Sequence, residues 1–558
     1  MNSPNPALVS QRAVQRLPRL ALLAFCAAYV LPGLFGRDPW KAADLTAFGY
    51  MVEMAAGRTG WLSPTLGGLP VDTAVLPHWL GALAIALLSP WVDPALAARL
   101  PFGLLLVGVL ALTWYSCFHF GRTPAAQPLP FAFGGEAHPV DYARAVADGA
   151  VLALIASLGL LQLGHETTPE LVQLFAVALL LWSLAVDGAR RWRARLAVLV
   201  ALPLLATSGA PSMALAMGAL ATALCLNHRA GPTRRAFAPW VGAATLLALA
   251  AAAQLHTWQL RLALPGSADD WLRTGRLLLW FLWPLWLLAL WTLWQWRRRL
   301  GEPHLGLPLA TTGVGLVSTI AMGGSDRALM LALPGMAVLA AFALPTLRRS
   351  TAAAMDWFSV FFFTACAITI WVIYVALMTG VPAKPAANVA RLAPDFVARF
   401  SPLELLVALV GTAAWLALVR WRTGRHRQAL WKSLVLPAGG VGLCWLLLLT
   451  LWLPLLDHAR SLRPWVQRLQ LHWPADGCLA APGLGRPTVA ALVHFGRREV
   501  DAVTPAERTA CPVLLLAPGR AAPPGWRRVA QERRPTDRND VLVVYRRADD
   551  RRRAGPAR

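Results

Sequence analysis

A succession of long apolar runs limits what this chain can fold into more than any other feature. They lie at about 20–34, 76–91, 97–119, 145–163, 168–187, 196–207, 212–227, 238–256, 276–296, 305–321, 328–346, 354–379, 402–420 and 433–456. A helix needs about 20 mainly apolar residues to cross a bilayer, and several of these runs are shorter than that. Inside lipid only helices and closed barrels satisfy their own backbone, so the pattern predicts an α-helical polytopic membrane protein. Composition agrees: 57% of the 558 residues are hydrophobic, 14% are charged, and the mean hydropathy is +0.51. These values exclude an ordinary soluble enzyme.

The net charge of +24 raises nucleic acid as a partner. The arginines instead gather at the ends of apolar runs, where cytoplasmic anchoring explains them, so no nucleic-acid partner is expected. Clusters at 190–195, 229–235, 297–299, 348–349 and 420–427 fall on the inside by this rule. The turns at 165–170, 208–212, 256–273, 323–327 and 381–401 then fall outside, with a charged loop at 36–79. The alternation closes with about thirteen crossings if the short, proline-bounded run 76–91 is re-entrant or tilted. Arg12, Arg16 and Arg19 precede the first run without a small-x-small cleavage site, which predicts an uncleaved first helix.

The loop 36–79 is where chemistry is expected. It carries Asp38, Asp44, Glu53 and Asp72 beside Arg37, Lys41 and Arg58, interleaved with Trp40, Phe48, Tyr50 and Trp61. Such a loop beside a bilayer can gather an anionic lipid head group and still offer a carboxylate as base. Leu45, Phe48, Val52 and Ala56 recur at helical spacing, which predicts a helix over 43–56 lying along the membrane surface.

From Asp457 the composition becomes that of a soluble domain. Strand-like runs at 477–481, 511–517, 526–531 and 540–545, with a helix-like run at 487–495, predict a small C-terminal α/β domain over 457–545. The charged tail 546–558 is expected to be disordered, and 1–456 forms the transmembrane domain. Cys478 and Cys511 are the two cysteines of the C-terminal segment, each beside a strand-like run, and are expected to pair if that segment is extracytoplasmic. The other cysteines sit in apolar runs without ligand spacing. No Gly-rich phosphate loop, HExxH or GxSxG is present.

Two segments resemble the GT-C integral-membrane glycosyltransferases, in the branch of aminoarabinose-lipid A transferases and protein O-mannosyltransferases. RDPWKAADLTAFGYMVEMAAGRTGWLSPTLGG is similar to the family's acidic first external loop, with its surface helix and G-x-W-x-x-P element. SDRALMLALPGMAVLAA is similar to its basic-residue-then-LLPLYP segment. The resemblance implies a GT-C-like fold in the inner membrane, a periplasmic C-terminal domain and a role such as lipid A modification. It implies transfer of a sugar from a polyprenyl-phosphate donor to a lipid, glycan or protein acceptor at the external face. The family's first-loop acidic residue falls nearest Asp44, with Asp38 the competing match, and its second acidic residue falls at Glu166. Lys41, Arg58 and Arg327 are the cations available to a donor phosphate, with Tyr50 and His256 beside them as substrate-binding candidates. His256 matches a family histidine sometimes found beside a metal, and with His78 and His165 on the same face a divalent metal is considered, although the three lack ligand spacing.

The sequence departs from the family where Ala43-Asp44 replaces an Asp-Glu pair, where Thr73-Ala74-Val75 replaces Lys-Pro-Pro, and at 208–211, which lacks a basic residue. The alternatives are a carrier of lipid-linked substrates and a catalytically inactive relative. A carrier calls for paired halves with broken helices, and the sequence shows neither.

Overall fold

The structure is a computed structural model that describes residues 6–186, 191–227, 231–258, 262–424, 429–474, 476–537 and 539–548. Arg190, Arg229, Arg425 and Arg427 of the arginine clusters, residues 259–261 of one external turn, and the tail from Asp549 lie outside them. Six described helices are long and apolar enough to cross a membrane: Pro94–Gly121, Gly231–Gln254, Pro303–Ala321, Arg349–Thr379, Pro402–Thr423 and Lys432–Leu451. Shorter apolar helices, among them Arg19–Val30, Leu76–Leu88, Pro169–Ala185 and Pro211–Leu226, account for most of the remaining runs. Helix length alone therefore supports fewer crossings than the expected thirteen.

One break was not visible in the pattern. Ala268–Phe281 and Leu285–Gln295 form a pair bent by 86°, although the run 276–296 reads as continuous. Pro284 lies at the break, and a proline that cannot donate its backbone N–H ends one helix and starts another. Ser267 opens the first helix of the pair with a reciprocal cap, its hydroxyl accepting from the Asp270 N–H while Asp270 accepts from the Ser267 N–H.

Compactness groups the chain into two units. The first takes Met1–Leu34, Phe102–Thr369 and Leu403–Thr450. In it Gly231–Gln254 packs on Arg191–Thr207 and on Pro211–Leu226. The last of these contacts depends on a missing side chain, because a Cβ on Gly218 would stand 2.2 Å from the Thr245 hydroxyl.

The second unit takes Phe35–Pro101, Ile370–Pro402 and Leu451–Arg558, so the composition break at Asp457 falls inside it. Its sheet has β3 (Leu479–Ala480), β4 (Val500–Asp501), β5 (Val513–Leu516), β6 (Trp526–Arg533) and β7 (Val541–Arg547) in the order β4-β3-β5-β7-β6. The β3 strand runs parallel to β4 and β5, and β7 runs antiparallel to β5 and β6. The four strand-like runs and the helix Arg486–His494 appear as expected, and β4 is the strand that the pattern missed. Arg546 and Arg547, assigned by composition to the tail, belong to β7. Cys478 and Cys511 form a disulfide with their Cα atoms 5.0 Å apart.

The loop 36–79 supplies part of this sheet's core. It forms the helix Ala42–Ala55 and a hairpin of β1 (Thr65–Leu66) and β2 (Leu69–Pro70). Leu45, Tyr50 and Leu66 share one hydrophobic cluster with Trp465, Val489, Leu492, Val513 and Val544. Gly49 lets Ala42–Ala55 close on Arg486–His494, for a Cβ there would stand 2.7 Å from that of Ala490. The helix expected to lie on the membrane surface is instead buried in protein, with Leu45, Phe48, Met51 and Met54 all enclosed. Its apolar residues extend around most of the circumference, which a single amphipathic face does not describe.

Two outcomes follow for stability. Gly49→Leu should prevent the two helices from closing and cost about 1–3 kcal/mol or more, read from thermal unfolding. Replacing Cys478 and Cys511 by Ser opens a loop of 33 residues and should cost about 2–4 kcal/mol, an effect that a reducing agent reproduces in the unmodified chain.

Candidate functional site

Arg37, Asp38 and Trp40 lead into the helix Ala42–Ala55, whose first turn holds Asp44 where an acid meets the positive end of the helix. Asp44 is 0% exposed and Arg37 2%. Arg37 Nη2 lies 3.6 Å from Asp44 Oδ2, a Coulombic contact longer than a hydrogen bond. The Arg37 guanidinium also sits 5.1 Å over the Trp40 ring, and that of Arg460 lies 5.6 Å from the same ring.

Asp38 is bound differently. It accepts from the Ser461 hydroxyl at 2.8 Å and from Arg463 Nε and Nη2 at 2.9 and 2.6 Å. Burial alone would raise its pKa, but the Arg463 fork and Ser461 hold it below the usual carboxylate value. Asp457 stands beside it and accepts from Trp40 Nε1 at 2.6 Å and from the Asp38 N–H at 3.1 Å. Burial and the neighbouring Asp38 push Asp457 up to about 6, against the two donors that favour its charged form. Arg99, 2% exposed, lies within electrostatic reach of Asp38, Asp44 and Asp457.

The other loop candidates have structural partners. Arg58 donates twice to Glu53 Oε1, at 3.0 and 2.6 Å, with its side chain 41% exposed. The Tyr50 hydroxyl donates to the Pro70 carbonyl at 2.9 Å and accepts from Arg486 Nε at 3.1 Å, tying the hairpin to the helix Arg486–His494. Burial raises the Tyr50 pKa, with Arg486 acting against it. Lys41 is half-buried at the N-cap of the helix that carries Asp44. Burial and the nearby Arg463 push His494 down to about 4, leaving a neutral ring edge-on to Phe48 at 4.6 Å.

Glu166 and Arg327 belong to the first unit, where the structure brings them together. Arg327 Nη2 donates to Glu166 Oε2 at 2.5 Å, and Nη1 donates to the Thr168 hydroxyl at 2.9 Å and to Glu170 Oε2 at 3.2 Å. Glu166 is 0% exposed. Burial opposes the Arg327 charge, and Glu170 and Glu166 outweigh it, raising its pKa. The short helix Asp326–Met330, capped by Ser325, presents this arginine.

The three histidines have separate surroundings. His78 lies in the second unit, while His165 and His256 lie in the first. One ring nitrogen of His78 is 2.9 Å from the Ala74 carbonyl, and both nitrogens of His165 face backbone carbonyls, of Leu161 and Tyr29. His256 is exposed, in a left-handed conformation at φ 51° beyond the helix Gly231–Gln254. Among the described residues no group of three or more His, Cys, Asp or Glu could hold a metal ion.

Sequence reasoning named Asp38 and Asp44 but missed Asp457, Ser461, Arg463 and Arg99. A guanidinium in the first turns of a long apolar helix opposes the helix dipole, and that was the available signal for Arg99. Asp457 gives a pH test. Its pKa is raised on folding, from 3.8 to about 6, so the folded chain binds the extra proton between these values and its stability falls as pH rises through that window. Asp457→Asn should remove this slope in unfolding measured from pH 4 to 7. Asp38→Asn should cost about 1–3 kcal/mol at pH 7 by weakening the Arg463 pair.

No family model and no curated protein matches the chain. Among solved structures it is similar to ArnT from Cupriavidus metallidurans bound to undecaprenyl phosphate, with a TM-score of 0.63 and 14% identity over 96% of this chain and 99% of that one. The apo state of the same protein gives a TM-score of 0.60, again at 14% identity, over 96% and 98%. The chain is thus a multi-pass membrane protein with the fold of ArnT over nearly its whole length, in keeping with the helical architecture and small C-terminal sheet domain expected from the apolar and strand-like runs.

Proposed function

We propose that the chain is a membrane glycosyltransferase that moves a sugar from a polyprenyl-phosphate donor to a lipid, glycan or protein acceptor at the external face of the inner membrane. The observation that carries this reading is likeness over 96% of the chain to a protein bound to undecaprenyl phosphate. A buried carboxylate with adjacent cations supports it, because the reaction needs both. The acceptor hydroxyl attacks the anomeric carbon, the bond from that carbon to the phosphate oxygen breaks, and polyprenyl phosphate leaves with the electron pair. A carboxylate orients the hydroxyl and takes its proton, and cations stabilise the charge growing on the phosphate.

Asp44 is the better candidate for the carboxylate. Asp38 is committed to Ser461 and to both arms of Arg463, and a carboxylate held below its usual pKa is a poor base. Lys41, half-buried at the start of the same helix, supplies positive charge to the donor phosphate. Glu166, which accepts from Arg327 at 2.5 Å, is the second carboxylate to which the resemblance points. The external orientation is supported by the unit that unites the three longest segments assigned outside by the arginine rule, 36–79, 381–401 and the segment from Asp457. The Cys478–Cys511 bridge suits an oxidising compartment.

Asp44→Asn should lower turnover about 100-fold or more while leaving donor binding largely intact, measured as consumption of polyprenyl-linked sugar in membranes. Asp38→Asn should retain more activity, and full activity in both variants would defeat the catalytic reading of the loop. An alkaline phosphatase fusion after Leu456 should be active, whereas activity of a cytoplasmic reporter at that point would reverse the orientation.

A further inference from the structure

The arginine clusters at 190–195 and 229–235 mark an end of the helical unit that the charge rule assigns to the inside. There the helices Arg191–Thr207 and Gly231–Gln254, which pack on each other, leave a cavity of about 310 Å³. Arg191 and Arg195 line it from one helix, and Thr233, Ala236 and Phe237 line it from the other. The two arginines are one helical turn apart, so they share a side of their helix. The Arg195 guanidinium lies 4.9 Å from the centre of the Trp240 ring, a cation–π contact that steadies its planar fork. Arg234, one residue beyond Thr233, is committed elsewhere and donates to the Leu184 carbonyl at 3.1 Å.

Negative charge is missing from this part of the chain. The sequence has no Asp or Glu from residue 188 to residue 268, so neither helix supplies a counter-ion from its own residues. Two guanidiniums one turn apart repel each other, and an anion between them relieves that repulsion. A phosphodiester suits the cavity, because a guanidinium fork meets two phosphate oxygens at once and Thr233 offers a hydroxyl beside them. Ala236 and Phe237 leave an apolar wall for the carbon part of the same molecule.

The surroundings favour the bilayer as the source of that phosphate. Trp192, Leu196 and Val200 recur at four-residue intervals on the helix that carries both arginines, and all three are exposed. Such an apolar stripe on a membrane protein lies against acyl chains, and a soluble phosphate compound gains nothing from it. A zwitterionic lipid is the poorer occupant, since its own cation would face two arginines.

We propose that the cavity between Arg191–Thr207 and Gly231–Gln254 binds the head group of one anionic phospholipid, with Arg191 and Arg195 on its phosphodiester and its acyl chains along Trp192, Leu196 and Val200. The proposal does not depend on the transfer reaction described above.

The test uses the full chain in phosphatidylcholine nanodiscs carrying a minor fraction of phosphatidylglycerol with a photoreactive group near its phosphate. After illumination, peptide mapping should place adducts within 191–200 and 231–240, at several times the yield of phosphatidylcholine bearing the same group. Arg191→Gln and Arg195→Gln should each lower the yield about fivefold, and together about 20-fold or more, because each arginine contributes about that factor toward an anionic lipid. Arg193→Gln is the comparison. Arg193 stacks on Trp192 at 5.2 Å and is not among the described residues that line the cavity, so its loss should change the yield far less. Ala236→Trp fills the cavity while leaving both arginines in place, and should remove most of the labelling.

An equal loss in Arg193→Gln would mean a diffuse basic surface and overturns the proposal, as does unchanged labelling in Ala236→Trp. Equal labelling by the phosphatidylcholine probe overturns the choice of an anionic lipid. Displacement of the probe by millimolar inorganic phosphate would assign the cavity to a soluble phosphate compound and overturns the lipid source. If the double arginine variant does not accumulate, the single variants and Ala236→Trp decide by the same criteria.

Discussion

A carboxylate enclosed in protein must find opposite charge, and the ion pair of Asp38 with Arg463 spans 425 residues of sequence to provide it. Breaking such a pair leaves an uncompensated charge, which is far more damaging than never having built it. The opening loop is thereby fixed to the C-terminal segment, and the surrounding contacts reinforce the connection. Trp40 reaches Asp457, the Tyr50 hydroxyl receives Arg486, and Gly49 admits the helix that carries Ala490. The apolar cluster joining Leu45 and Leu66 to Val489 and Val544 closes beneath them.

Two aspartates of the same loop thus have different environments. Asp38 is saturated by a guanidinium fork and a hydroxyl, and Asp44 faces Arg37 across 3.6 Å. A carboxylate anchored by several donors is suited to holding structure. Their spacing along the chain does not separate these environments, because both precede or open the same helix.

What the sequence made legible was local. Apolar runs, the helix after Lys41, the strand-like runs around Leu479, Leu515, Ala530 and Val543, and the pairing of Cys478 with Cys511 depend on short patterns or on a small count of residues. What escaped depended on distant partners. The two residues of β4 are too few to show alternation, and the bend at Pro284 lies inside a run whose hydrophobicity never drops. The helix Ala42–Ala55 has the composition of an interfacial anchor, and only the C-terminal segment reveals that its apolar side is covered by protein. Of the candidate residues, Glu166 and Arg327 meet, Asp38 is held by Ser461 and Arg463, and Tyr50 and Arg58 are occupied by Arg486 and Glu53. None of those partners can be chosen from spacing alone.

The shared core also sets a timetable for biosynthesis. Asp38 and Trp40 emerge from the ribosome more than 400 residues before Asp457, their partner. At synthesis rates of roughly 5–20 residues per second, that separation corresponds to about 20–80 s. During this interval the helix after Lys41 can already pack on Leu76–Leu88, but the side that meets Arg486–His494 is uncovered and its charged approach lacks its C-terminal partners, next to a membrane already receiving the first spans. The nascent chain must therefore be shielded by lipid or by a chaperone until its last hundred residues arrive, so a truncated chain would lose the order of its first loop as well as its sheet.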